Sequence, residues 1–124
     1  MRHYLDSLRR LYAARPAWRR LYPGHGPPID AAQHAIAEYI AHREAREAQI
    51  VQHLAPSGGA LGGGVTASEL VTVLYSDRHL SWELKQAATE TVYNHLLFLS
   101  EKGQASPLHD AGAATHLGVR WVRA

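Results

Sequence analysis

Residues 20–29 have the sequence RLYPGHGPPI, in which His25 stands between two glycines and is followed by two prolines. Proline restricts the backbone and disfavours helical geometry in the residue before it, so a stiff, extended loop is expected. The glycines leave the imidazole without neighbouring Cβ atoms. The pattern predicts a metal-ligating histidine at the end of a short buried strand over residues 18–22. A histidine in an ordinary tight surface turn is the alternative.

This loop resembles the last metal-ligand loop of the metallo-β-lactamase-fold hydrolases. From about residue 4 to residue 122 the chain also resembles one branch of them, the β-lactamase-like protein 2 group. The residues that carry this second resemblance are Tyr39-Ile40, His42-Arg43, Arg46-Glu47, Gln49-Ile50, Glu69-Leu70-Val71 and Asn94-His95-Leu96. The resemblance implies a mainly α chain with a small β-hairpin. It would be a winged-helix domain preceded by the truncated terminal helix-strand piece of the metallo-β-lactamase αββα fold.

The family's metal site is largely missing from this sequence. Its members bind two metal ions through a His-x-His-x-Asp-His motif, a further His, a bridging Asp and the loop histidine. The nine histidines of this chain include no His-x-His pair, so only His25 matches. A catalytic zinc site needs three protein ligands and an open position. We therefore expect the C-terminal portion of such an enzyme, which is inactive by itself and does not keep zinc. It would be the product of a truncated gene, a degenerate paralogue, or a fragment whose catalytic half lies elsewhere.

The resemblance implies that the intact protein is a zinc-dependent hydrolase. The substrate would be single-stranded RNA, cut by an endonuclease, or a thioester, as in some fungal relatives. His42 and Arg43 lie where the apolar stripe of a predicted helix turns polar, and they are the candidate substrate-binding residues. A bridge between domains is the other interpretation of this pair. The second hypothesis is a stand-alone winged-helix interaction or DNA-binding module without catalysis, and a homodimer is compatible with either hypothesis.

Composition narrows the class of protein. A chain of 124 residues can form one small domain and a little more. It has no cysteine, which excludes disulfides and thiolate metal sites. No apolar run approaches the roughly 18 residues of a membrane span, and nothing marks the chain as secreted. The resemblance implies an intracellular protein of the mitochondrial matrix or the cytosol.

Charge is unevenly distributed along the chain. Residues 1–24 carry six arginines against Asp6 alone, which fits either a transit peptide or a helix of the hydrolase domain. From residue 65 onward there are five Lys or Arg residues against six Asp or Glu residues. Affinity for nucleic acid depends largely on cations that contact phosphates. Sequence-specific DNA binding is therefore not expected of the C-terminal region.

Four divisions of the chain follow from this pattern. Residues 1–29 would be the remnant of the hydrolase domain, with an amphipathic helix over residues 4–12. Residues 30–54 would be a bridging helix capped by Asp30. Residues 55–64 are glycine-rich and predict a flexible linker, and residues 65–124 would complete the winged helix.

Within the last division, Thr66 and Glu69 form a predicted capping box at the start of a helix that ends near residue 75. A second helix is predicted over residues 82–102, with Gly103 ending it. Its inner face would comprise Leu84, Ala88, Val92, His95, Leu96 and Leu99. In this stripe His95 is interpreted as a core histidine and not as a ligand. Residues 104–106 and 119–122 are predicted to be the two strands of the hairpin.

Overall fold

A computed structural model describes residues 2–14, 16–56, 63–108 and 115–124, with only the backbone described at residues 2 and 3. The elements in chain order are α1 (Arg2–Ala13), α2 (Ala32–His53), α3 (Ala67–Leu74), α4 (Trp82–Glu101), β1 (Ala105–Leu108), a 3-10 turn (His116–Gly118) and β2 (Arg120–Arg123). The expectation of a mainly α chain with a small antiparallel hairpin is confirmed.

The chain divides into two compact units, Met1–Arg46 and Glu47–Ala124. The division falls inside α2, whereas the sequence pattern suggested boundaries after residues 29, 54 and 64. Those boundaries stay predictions. In the part of the chain that the structure describes, no helix combines the length and the apolar character that crossing a bilayer requires.

In the first unit, α1 buries little of its apolar surface. Leu5 is fully buried, but Tyr4, Leu11 and Tyr12 keep 39–46% of their surface exposed. The predicted buried strand over residues 18–22 is wrong. A strand needs a partner along its length, and here only Leu21 pairs with another residue in the described part of the chain. Trp18 accordingly remains 46% exposed.

The second unit has a continuous hydrophobic core. Its buried members come from the end of α2 and the residue after it, and from α3, α4, β1 and β2: Ile50, Leu54, Ala67, Leu70, Val71, Val92, Leu96, Leu99, Ala105 and Trp121. The predicted inner face of α4 is confirmed from Ala88 onward, but Leu84 is 57% exposed. Residues 82–87 are all exposed, because the first turns of α4 extend past the core.

The capping box at the start of α3 is confirmed. The Glu69 backbone N–H donates to the Thr66 hydroxyl at 3.2 Å, and the Thr66 N–H donates to the Glu69 carboxylate at 2.8 Å. These bonds satisfy two backbone donors that have no partner inside the helix. At the end of α4, Gly103 has a φ of +67°, a conformation that favours glycine, so its predicted role in ending the helix is also confirmed.

Strand β2 lies between two partners. On one edge it pairs with β1 in antiparallel register, from Ala105 opposite Arg123 to Leu108 opposite Arg120. On the other edge the backbone of Trp121 exchanges two hydrogen bonds with Val65, both at 2.9 Å. The hairpin therefore receives a third, single-residue partner from the chain that enters α3.

The C-terminal end of the predicted linker is fixed in the fold. The guanidinium of Arg120 donates to the carbonyls of Gly63 and Gly64 at 2.8 and 2.9 Å. Gly64 has a φ of +54° and lies against β2. For these two residues the prediction of a flexible linker is wrong, and residues 57–62 lie outside the described residues. At Gly64, glycine is needed because the backbone approaches β2 closely, and not because the chain is flexible there.

A buried carboxylate joins α2 to α4. Glu47 is 5% exposed and accepts a hydrogen bond from Lys102 Nζ at 2.9 Å. Its other oxygen lies 4.0 Å from Nδ1 of His95, which is 1% exposed. The interpretation of His95 as a core residue is confirmed. A carboxylate at this depth requires a charged partner, because desolvation of an ion is costly.

Replacing Gly64 with alanine should destabilise the second unit. A Cβ atom there would lie 2.9 Å from the Leu108 side chain and 3.0 Å from the Trp121 carbonyl oxygen. Gly103 is the matched control, since its φ is also positive but no atom lies within 4 Å of its Cβ position. In urea unfolding, Gly64→Ala should cost about 1–3 kcal/mol more than Gly103→Ala. Equal losses would show that Gly64 is not tightly packed.

Replacing Lys102 with methionine should leave the Glu47 carboxylate buried without its cation. Because the Lys102 side chain is 42% exposed, solvent screens the pair, and the expected loss is only about 1–2 kcal/mol. The double variant Glu47→Gln/Lys102→Met removes both charges and should recover part of that loss. Urea unfolding of the four proteins forms a double-mutant cycle, and strict additivity would contradict the pairing.

Candidate metal-ligand loop

The loop that carries His25 is closed at its base by backbone pairing. Leu21 and Ile29 exchange two hydrogen bonds, each 2.9 Å long, so residues 22–28 form the loop between them. Just outside this pair, Nε of Arg20 donates to the carboxylate of Asp30. The pKa of Arg20 is raised above its usual range, first by a hydrogen bond with Tyr22 and then by the one with Asp30. The two ends of the loop are thus held together.

Asp30 does not cap α2 as predicted. Its carboxylate accepts from Arg20, and α2 begins at Ala32, which places Ala31 at the cap position. The first backbone bond of the helix runs from the Ala35 N–H to the Ala31 carbonyl at 3.0 Å. The side chain that could have bound the helix N-terminus instead closes the histidine loop.

His25 is exposed at the middle of this loop. Gly26 has a φ of +93°, which explains why glycine follows the histidine. A Cβ atom at Gly24 or Gly26 would meet nothing within 4 Å. Among the described residues, His25 makes no hydrogen bond, ion pair or ring contact. The imidazole is therefore open to an external group.

The described residues do not fit a catalytic zinc ion. In the described ranges, no group of three or more His, Cys, Asp or Glu side chains is placed to hold a metal. One exposed imidazole is not the three-ligand donor set that such a site needs. The role of His25 as a metal ligand stays a prediction, and it requires ligands from outside the described residues.

The two candidate substrate-binding residues have different surroundings. His42 is exposed on α2, whereas Arg43 is half-buried. The Arg43 guanidinium donates to the Tyr39 hydroxyl at 3.1 Å and lies over the Tyr39 and Tyr4 rings, at 5.3 and 5.9 Å from their centroids. Both residues belong to α2 and lie outside the loop that carries His25. Their role in substrate binding stays a prediction.

Tyr4, Tyr39 and Arg43 form a cluster that we name the tyrosine–arginine cluster. The two rings meet edge to face, with centroids 6.0 Å apart. A hydrogen bond from Tyr4 to Tyr39, followed by the one from Arg43, lowers the pKa of Tyr39 below 10.0. The same bond to Tyr39 raises the pKa of Tyr4. The four-residue spacing of Tyr39 and Arg43 was a visible signal in the sequence, but nothing in it pointed to Tyr4.

The two pKa shifts predict the behaviour of the phenols in alkali. In a spectrophotometric titration, one tyrosine should ionise earlier than the others, and Tyr39→Phe should remove that step. Arg43→Met should delay it, because the phenolate at residue 39 loses a hydrogen-bond donor and a nearby positive charge. Tyr22→Phe is the control, since Tyr22 lies outside the cluster and is 75% exposed. An early step that persists in Tyr39→Phe would contradict the assignment.

No family model matches this chain. Curated relatives do: a protein of Caenorhabditis elegans named β-lactamase-like protein 2 homolog is 30% identical over 106 residues, or 86% of this chain and 33% of the relative. The protein of the same name from Drosophila melanogaster is 32% identical over 101 residues, or 82% of this chain and 32% of the relative. This chain thus spans about a third of the length of these relatives.

Solved structures with a β-lactamase-type fold are also similar to this chain. A β-lactamase domain protein from Burkholderia ambifaria superposes with a TM-score of 0.75 at 24% identity, over 98% of this chain and 32% of that protein. A metallo-β-lactamase family protein from Thermus thermophilus gives a TM-score of 0.67 at 26% identity, over 99% of this chain and 33% of that protein. The relatives and the solved structures together support the metallo-β-lactamase fold family for this chain.

Proposed function

We propose that this chain is the C-terminal part of a metal-dependent hydrolase with the metallo-β-lactamase fold, and that the intact enzyme is a single-strand RNA endonuclease. The observation that carries the proposal is His25, exposed in a loop whose ends are held by Leu21 and Ile29. A histidine with no partner among the described residues, on a loop closed at its base, is suited to complete a metal site built by other residues.

The exposed aromatic side chains of the first unit support the proposal that another part of the intact enzyme covers this surface. Tyr4, Tyr12 and Trp18 are each 46% exposed, and Tyr22 is 75% exposed. Aromatic rings usually bury much of their large apolar surface, in a core or an interface. The match covers only about a third of the length of each of these relatives. We assign this surface to contact with the remainder of the hydrolase domain.

We assign the second unit as a winged helix. In chain order it contains the end of α2, the paired residue Val65, α3, α4, β1 and β2, with β2 between Val65 and β1. In a winged helix of this order, α4 would be the helix that reads DNA, yet it carries Lys85 against Glu83, Glu90 and Glu101. Too few cations are present for sequence-specific DNA binding. Packing within the enzyme, or between two copies of it, is the role we propose.

A chimera tests the proposal. In the Caenorhabditis elegans relative, the 106-residue segment that matches this chain is replaced by the corresponding residues of this chain. The purified protein is then assayed for zinc content and for cleavage of a single-stranded RNA and of a thioester. His25→Ala in the chimera should lower both zinc content and hydrolysis, because a ligand is lost. His34→Ala is the matched control, an exposed histidine of the same unit that is not a candidate site residue, and it should keep both zinc and hydrolysis.

The outcomes separate the hypotheses. Cleavage of RNA but not of the thioester supports the endonuclease, and the reverse result supports a thioesterase on the same scaffold. Unchanged zinc in His25→Ala would overturn the role of the loop. Tight, salt-sensitive and sequence-selective binding of duplex DNA by the 124-residue chain itself would instead favour a stand-alone DNA-binding module.

A further inference from the structure

The second unit uses three of its five cationic side chains to hold its own structure. Lys102 pairs with a buried carboxylate, Arg120 binds backbone carbonyls before α3, and Arg123 donates to a carbonyl of α2 at 2.7 Å. The other two, Arg78 and Lys85, make no side-chain hydrogen bond or ion pair with any described residue. Their charges are therefore available to a ligand.

Arg78 and Lys85 line the same cavity, which has a volume of about 180 Å³. Its other lining residues are apolar or carry hydroxyl groups: Val71, Leu80, Thr72, Tyr75 and Ser76. The cavity thus combines two positive charges and three hydroxyls with a small apolar surface. That combination suits an anion attached to an organic group.

The backbone around this cavity is fixed by hydrogen bonds. The N–H of Arg78 donates to the Tyr75 carbonyl at 3.0 Å, in the turn that follows α3. The N–H of Lys85 donates to the Ser81 carbonyl at 2.9 Å, in the first turn of α4. Both cations therefore extend from backbone that is held by hydrogen bonds, so binding has to order only their side chains.

The nearest acidic residues in the sequence do not line the cavity. Asp77 and Glu83 flank the two cations along the chain, but neither is among the lining residues. The pKa of Glu83 is lowered by its own backbone N–H and by the Ser81 hydroxyl, so its charge is stabilised at the N-terminus of α4. Within the described residues, the cavity lining carries two positive charges and no negative charge.

We propose that this cavity binds a phosphate group, as a monoester or a phosphodiester. Arg and Lys donate charge-assisted hydrogen bonds to phosphate oxygens, and the Ser76 hydroxyl supplies a further donor. The Thr72 hydroxyl already donates to the Ser68 carbonyl at 3.2 Å. A cavity of this size equals about six water molecules at roughly 30 Å³ each, enough for one phosphate and a few attached carbon atoms. The site does not depend on the hydrolase assignment and would exist in a module without catalysis.

Amide chemical shifts of the ¹⁵N-labelled 124-residue chain test the site with three probes. They are uridine 5′-monophosphate, a hexauridylate without terminal phosphates, and uridine. The monophosphate should shift the amides of Thr72, Ser76, Arg78 and Lys85, and uridine should not. An equal or stronger response to the hexauridylate identifies the backbone of single-stranded RNA as the source of the phosphate. A response to the monophosphate alone identifies a phosphate monoester.

Two double variants separate the cavity from overall charge. Arg78→Gln/Lys85→Gln should weaken binding of the responding probe by about tenfold or more. Arg10→Gln/Arg19→Gln removes the same charge from exposed positions in the first unit and should change the affinity less than about twofold. Lys85→Arg should retain binding, and well-dispersed spectra confirm that each variant is folded.

Three results would overturn the proposal. The first is a response to uridine equal to that of the monophosphate, and the second is an equal loss of affinity in both double variants. The third is the absence of any shift at the cavity with either phosphate-bearing probe. None of these results bears on His25. If the phosphate site is disproved, the endonuclease proposal is still decided separately, by the zinc and cleavage assays of the chimera.

Discussion

The second unit depends on the backbone of β2 and on the side chains that project from it. Trp121 buries its ring in the core while its backbone pairs with Val65. The next residue back, Arg120, binds the carbonyls of Gly63 and Gly64 and also lies 3.3 Å from the Glu69 carboxylate. One short strand thus fixes the approach to α3, its N-terminal cap and the hairpin at once.

Local signals made much of the fold predictable. A capping box, a glycine at a helix C-terminus and a stripe of apolar residues each act within one or two turns of helix, so the bounds of α3 and α4 follow from the sequence. The features that the sequence did not predict have a different origin. Burial of Glu47 depends on Lys102, which is 55 residues away, and the role of Asp30 depends on Arg20 across the histidine loop. Pairing between side chains that are so far apart along the chain leaves no pattern in the local sequence.

The predicted strand over residues 18–22 failed for a related reason. The hydrophobic run is present, but Trp18 and Tyr22 remain exposed and only Leu21 is paired in the described chain. A run of apolar residues predicts burial only where another surface covers it. The sequence did indicate the histidine loop, because proline and glycine act locally. It could not indicate the tyrosine–arginine cluster, because Tyr4 lies in a separate helix.

The paired residues on either side of the glycine-rich segment have a consequence for how this chain can vary. Pro56 pairs with Arg123 and Val65 with Trp121, so the segment leaves and rejoins β2 two residues apart. Closing a loop between fixed ends costs only about 0.6 kcal/mol for each doubling of its length. Insertions between Pro56 and Gly63 should therefore be tolerated in evolution, whereas Gly63 and Gly64 are held by Arg120. The stretch before Gly63 is thus the natural place to graft a peptide tag.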